Sequence, residues 1–177
     1  MLTAIATVLA LTGPPEVYPD RGFVQVEGHV SLLSDAADRS TIGNYFGYGV
    51  RGGYRLGQWG FFGTVEHNLW LASESELSVQ NGALNVGAGF EFHFFEGRVR
   101  SSLALGPSIQ LFDTVLEKAG SVGFFIDARF AGLRWELNEH FALQLDPLSF
   151  ALVAPIVGSI PLILAQYRTV LTLEGLF

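Results

Sequence analysis

The 177-residue chain has no cysteine, a single methionine, a single lysine (Lys118), and charge on only 15% of its residues. Without cysteine there is no disulfide framework and no thiolate to serve as nucleophile or metal ligand. Ten Lys and Arg against seventeen Asp and Glu leave a formal net charge of −7, which argues against a nucleic-acid partner because phosphate backbones demand basic patches. Outside one stretch considered below, the chain also lacks any charge-free run of the roughly 20 residues that a helix needs to cross a bilayer. It is nevertheless apolar, 49% hydrophobic with a mean hydropathy of +0.36. The apolar residues must therefore be spread over many short segments.

What is abundant is glycine, at 21 residues, and phenylalanine, at 15. Glycine-rich, aromatic-rich alternating segments are the composition of a transmembrane β-barrel, whose strands turn one face to lipid and the other to a lumen. The end of the chain shows the pattern most clearly. Tyr167, Thr169, Leu171, Leu173 and Phe177 share one face, while Arg168, Thr172 and Glu174 share the other.

The same period of two predicts strands over Phe23–Leu33, Tyr45–Leu56, Trp59–Leu71, from after Gly82 to Phe95, and over Arg98–Phe112. A sixth carries Val122, Phe124, Ile126 and Phe130 opposite Asp127 and Arg129, with a slip near Ala131 and Gly132 that suits a β-bulge. A seventh starts at Phe141, and the eighth ends at Phe177. Polar connections at Ser34–Asn44, Ala72–Gly82 and Asp113–Gly120 follow odd strands, whereas tight turns at Gly57-Gln58, Glu96-Gly97 and Leu137–His140 follow even ones. Alternating long and short connections are the signature of short periplasmic turns and longer outer loops, so both termini are expected on the periplasmic side. The expected fold is an all-β, membrane-spanning, antiparallel up-and-down β-barrel of about eight strands. It occupies residues 22–177, after a signal-peptide-like segment at 1–13 and a periplasmic lead-in at 14–21. Leu2–Leu11 is apolar but too short to span a bilayer, and no basic residue precedes it.

The exception is Pro147–Ala165, which holds no charged residue. Its length would suit a membrane helix, but Pro147, Pro155, Gly158 and Pro161 oppose a regular one. A hairpin between the last two strands, with an apolar outer turn around Pro155–Ser159, is the expected form.

The lumen-facing positions collect Arg51, Arg55, Arg100, Arg129 and Arg168 against Glu27, Glu66, Glu91, Asp127, Asp146 and Glu174. An eight-stranded barrel is only just wide enough for its own side chains. Buried charges must be paired, so these groups are expected to form an ion-pair network that plugs the bore. A gated ion or solute path lined by the same residues is the alternative. A soluble lipocalin-like barrel would need the opposite faces, apolar inside and polar outside.

From Phe23 to Phe177 the chain resembles the small outer-membrane β-barrel proteins of Gram-negative bacteria. The residues that carry the likeness are the strand Tyr48-Gly49-Val50-Arg51-Gly52-Gly53-Tyr54, the turns at Gly57-Gln58 and Glu96-Gly97, and the terminal strand Tyr167–Phe177. The resemblance implies residence in the outer membrane, contact with its lipid and lipopolysaccharide, and use of Phe177 as a signal read by the barrel-assembly machinery. It covers adhesins, structural anchors, narrow channels and lipid-modifying enzymes alike. With Phe177 as the last residue, no appended peptidoglycan-binding domain is expected.

Candidate chemistry is thin. His29 and Ser31, with Glu27 as the nearby acid, carry the residue types of a base-activated serine, as in lipid A deacylases and acyltransferases. At a spacing of two on one strand face they equally suit lumen filling. His67 falls on the lipid-facing register, and neither His93 nor His140 has a partner at metal-ligand spacing. The expectation is a monomeric, non-enzymatic, porin-like barrel without cofactor or metal centre. Its loop carboxylates Asp35, Asp38, Glu74, Glu76, Asp113 and Glu117 are candidates for divalent cations.

Overall fold

The computed structural model describes residues 20–35, 42–70, 80–112, 121–154, 156–157, 160–161 and 164–177. The strands are β1 (Arg21–Asp35), β2 (Ile42–Leu56), β3 (Trp59–Trp70), β4 (Gln80–Phe94), β5 (Val99–Phe112), β6 (Ser121–Glu136), β7 (Phe141–Ala154), the two-residue β8 (Ile156–Val157) and β9 (Ile160–Pro161), and β10 (Leu164–Leu176). Eight of them close an antiparallel barrel in the order β1-β10-β7-β6-β5-β4-β3-β2. Closure joins β10 to β1 without a break, from Phe23 opposite Leu176 to Asp35 opposite Leu164. A reciprocal pair of backbone bonds between Gly22 and Phe177, at 2.8 and 3.0 Å, extends it by one step. The barrel itself has no open sheet edge, which is the condition for its strands to sit in hydrocarbon.

The faces follow the sequence pattern. Val26, Val30, Phe61 and Leu171 point outward and are more than half exposed, while their neighbours along each strand are buried. Polar groups lie inside and apolar groups outside, the reverse of a soluble lipocalin-like barrel. Trp59, Phe90, Phe92 and Phe94 form a continuous aromatic cluster on the outer face toward the tight turns, with ring centroids 4.6–6.0 Å apart. Among the described residues no helix is long and apolar enough to cross a membrane.

Several strand limits differ from the sequence reading. β1 begins at Arg21 and runs to Asp35, β2 starts at Ile42 and β4 at Gln80, so the connections expected at Ser34–Asn44 and Ala72–Gly82 are shorter than expected. The ladders explain the difference, since Ser34 pairs with both Ile42 and Ala165, and a polar side chain does not end a strand whose backbone still has partners on both sides. β4 stops at Phe94, because Phe95 and Glu96 take left-handed conformations (φ 48° and 58°) in the turn. Over Pro147–Ala165, β7 and β10 pair as far as Val153 opposite Leu164, and β8 pairs with β9 beyond them. That is a hairpin, as expected, and residues 155, 158–159 and 162–163 lie outside the described residues. Also outside them lie the signal-like segment, most of the lead-in, and the loop carboxylates Asp38, Glu74, Glu76, Asp113 and Glu117.

The slip expected near Ala131 is present. Between Arg100 opposite Gly132 and Ser102 opposite Arg129, β5 spends one residue and β6 two, Phe130 and Ala131. β7 carries a matching extra residue at Pro147-Leu148, opposite Thr169 of β10, a position where proline's missing N–H is tolerated. Each bulge frees a carbonyl on the outer face, and each is met by a neighbouring hydroxyl. Ser101 donates to the Phe130 carbonyl at 2.5 Å and Tyr167 to the Pro147 carbonyl at 2.6 Å. Hydrocarbon offers no substitute donor. Ser101→Ala and Tyr167→Phe should each lower unfolding stability in lipid vesicles by about 1–3 kcal/mol. An unchanged denaturation midpoint in both would show that water reaches these carbonyls.

Candidate functional site

The lumen is where side chains from all eight barrel strands converge. All eleven lumen residues named from sequence project inward, and none is more than 3% exposed. Arg134 joins them at 5%. Its place was not legible, because the bulge at Phe130-Ala131 inverts the parity of β6. Above it the odd positions Phe125, Asp127 and Arg129 face inward, and below it the even positions Gly132 and Arg134 do.

With Arg134 the lumen holds six arginines and six carboxylates, and they form one unbroken alternating chain of ion pairs. It starts at the rim, where Glu136 meets Arg134 (2.6 Å), then passes to Glu174 (2.8 Å), Arg55 (2.9 Å), Glu91 (2.6 Å), Arg100 (3.2 Å) and Asp146 (2.6 Å). From Asp146 it continues through Arg129 (3.3 Å), Glu27 (2.9 Å), Arg51 (3.2 Å), Asp127 (2.7 Å) and Arg168 (3.5 Å) to Glu66 (2.5 Å). No like charges are adjacent in it, and its buried members balance, six against six.

Arg129 is the central node. Its two Nη atoms grip both oxygens of Glu27 at 2.9 and 3.0 Å, its Nε donates to Asp127 at 3.0 Å, and Nη1 also reaches Asp146 at 3.3 Å. Bidentate fork pairing of this kind is the strongest form of the interaction. Neutral amides and a hydroxyl add donors to three of the carboxylates. Gln25 and Gln144 donate to Glu174 at 2.8 and 2.7 Å, Asn68 and Asn85 to Glu66 at 2.7 and 3.0 Å, and Ser149 to Asp127 at 3.0 Å.

Between the charges lies an apolar cluster of Phe23, Phe62, Phe125, Ala104 and Leu176. The guanidinium of Arg51 sits 4.7 Å from the Phe62 ring centre and that of Arg55 sits 4.9 Å from Phe23, close enough for cation–π attraction. Glycines make the room. A Cβ on Gly89 would lie 2.7 Å from Phe62 Cζ, and one on Gly87 would lie 2.8 Å from Phe125 Cζ. Inward phenylalanines were not anticipated, because apolar residues in a barrel strand are read as lipid-facing.

No hydrogen bond joins Ser31, His29 and Glu27 to one another among the described residues. Ser31 Oγ is buried without a hydrogen-bond partner there, Glu27 pairs with Arg51 and Arg129, and the His29 ring lies between Asn68 (2.8 Å) and Arg168 (2.9 Å). His93 bonds Glu91 at 2.9 Å as a satellite of the network. Groups of His, Cys, Asp or Glu arranged to hold a metal are absent among the described residues.

No protein-family model matches the sequence, and no curated protein matches it. Solved structures do. Neisserial surface protein A superposes with a TM-score of 0.63 over 90% of this chain and 100% of its own, at 12% identity. The attachment invasion locus protein Ail of Yersinia pestis, crystallised with the heparin analogue sucrose octasulfate, superposes at 0.52 with 15% identity and the same coverage. At such identities the likeness is one of architecture: the chain has the fold of the small eight-stranded outer-membrane β-barrels.

Proposed function

We propose that the protein resides in the outer membrane as a non-enzymatic barrel with a closed lumen, and that it acts through the loops and rim at its long-connection end. The observation that carries this reading is the unbroken ion-pair chain, which fills the bore with charges already neutralised and bonded to one another. A solute path would need carboxylates and guanidinium groups free to exchange partners with the passing ion. Here each is held by at least one opposite charge, and moving one exposes another. Membrane residence is supported by the outward apolar belt and the closed strand ladder, and by a fold shared with outer-membrane barrels.

In this reading the short turns and both termini face the periplasm, and Phe177 serves the assembly machinery. The end of β1 at Asp35 and the long connections, with Asp38, Glu74, Glu76, Asp113 and Glu117 against Arg39 and Lys118, make that end acidic. That acidic surface suits divalent cations, which bridge it to the phosphates of lipopolysaccharide.

Two measurements test the proposal. Purified protein in planar bilayers should give no discrete conductance steps, and steps of uniform size would replace the plug with a channel. Cell fractionation should place the folded, heat-modifiable form in the outer membrane, and recovery in the soluble periplasm would end the membrane reading.

A further inference from the structure

The lipid-facing surface carries one imidazole. Among the described residues, the outward positions of the strand belt are aliphatic, aromatic, small or hydroxylated, with His67 on β3 as the exception. Its Nδ1 lies 2.9 Å from the hydroxyl of Tyr48 on β2, with the two rings edge to face at 5.4 Å. The two residues are direct cross-strand partners. Beside them the outer face is hollowed into a shallow cavity of about 410 Å³, lined by Tyr48, Gly49, Val50, Val65, His67 and Leu84.

Counting hydrogens shows why this pair is unusual. Together the imidazole and the phenol hold at least two polar hydrogens, and the bond between them consumes one. At least one donor is left over, and it has no acceptor among the described protein atoms. The other polar groups of the belt at the bulges are self-sufficient, because Ser101 and Tyr167 spend their hydrogens on backbone carbonyls. An unspent donor on a surface that meets only lipid costs free energy unless the lipid accepts it.

Height along the barrel indicates what the acceptor is. Tyr48 and His67 each stand eight residues above Leu56 and Trp59, which flank the tight turn. At about 3.3 Å per residue and a tilt near 40°, that is roughly 20 Å, close to the outer edge of an apolar band about 25 Å tall. The ester and amide carbonyls that join acyl chains to a head group lie at this boundary. Only the leaflet on the long-loop side reaches it, and in an outer membrane that leaflet is lipopolysaccharide.

We infer that the Tyr48–His67 pair and the adjoining hollow form a docking site for one lipopolysaccharide molecule. One acyl chain lies over Val50, Val65 and Leu84, and its linkage carbonyl accepts the spare hydrogen. The inference rests on the outer-membrane placement proposed above and adds a specific lipid contact to it.

The test is native mass spectrometry of the detergent-purified barrel, released from micelles after incubation with rough lipopolysaccharide. The wild type and Tyr54→Phe, an outward tyrosine away from the hollow, should retain one lipopolysaccharide molecule. The double variant Tyr48→Phe with His67→Leu, which removes both donors, should lose about tenfold in retention, the equivalent of one hydrogen bond, whereas each single substitution leaves one unspent donor and should keep most of it. Equal retention by the double variant would overturn the inference. So would equal retention of phosphatidylethanolamine by the wild type, which would make the hollow a general lipid contact. Heat-modifiable gel mobility of the same samples in vesicles reports separately on the barrel itself: its loss in the wild type would strike the membrane reading, and its persistence alongside unchanged retention strikes only the site.

Discussion

Replacing Arg129 with methionine should destabilise the barrel by about 3–5 kcal/mol, the cost of stranding buried carboxylates that have lost their counter-charge. Arg129 serves three of them, Glu27, Asp127 and Asp146, and all are 2% exposed or less. Methionine supplies comparable length without charge, so most of the loss comes from the uncompensated anions and little from a void. The prediction has a diagnostic second half. Removing Glu27 together with Arg129, as Glu27→Gln with Arg129→Met, restores charge balance and should recover a substantial part of the loss. Denaturant midpoints in lipid vesicles for the two single variants and the double variant measure the coupling. If Arg129→Met unfolds at the wild-type midpoint, the lumen is hydrated enough to screen its charges, and the closed-bore reading fails with it.

The legibility of this network in the sequence has a physical basis. Alternation of side chains along a strand is strict, so a charge in an otherwise apolar segment declares which face is the lumen, and Glu27, Arg51, Glu66 and Arg168 could be placed from their neighbours alone. Which charge pairs with which was not legible. Pairing depends on shear, which brings Arg55 of β2 to Glu174 of β10 and Arg129 of β6 across the bore to Glu27 of β1. Phe23, Phe62 and Phe125 were missed for a different reason. An apolar side chain suits lipid and a packed lumen equally, and only the glycines opposite them, which take no lumen volume, signal that rings are needed there. Such a glycine can be recognised as lumen-facing from sequence without revealing what fills its space.

Arg134 was missed because the parity rule on which every assignment rested is broken once on β6, and this supplies the second large-effect prediction. Deleting Ala131 should remove the extra residue and leave Arg129, Phe130, Gly132, Leu133 and Arg134 in strict alternation, so Arg134 stays in the bore and Trp135 stays on lipid. Toward β5 the ladder becomes regular. Toward β7 it does not, because β7 carries its own extra residue at Pro147-Leu148 and the two strands stay in step only while both are bulged. The cost therefore falls on the backbone groups of β6 and β7 that lose their partners, each worth several kcal/mol where hydrocarbon offers no substitute. The barrel should lose heat-modifiable mobility, or fold with its stability lowered by that amount. Since the chain has no cysteine, a single cysteine at position 135 reports the face directly. A lipid-soluble maleimide should label it in the parent and in whatever fraction of the deletion variant folds, and a water-soluble thiol reagent should label neither. Loss of maleimide labelling in a folded deletion variant would show that the lower end of β6 had turned over, and wild-type stability would show that β6 and β7 need not be bulged together.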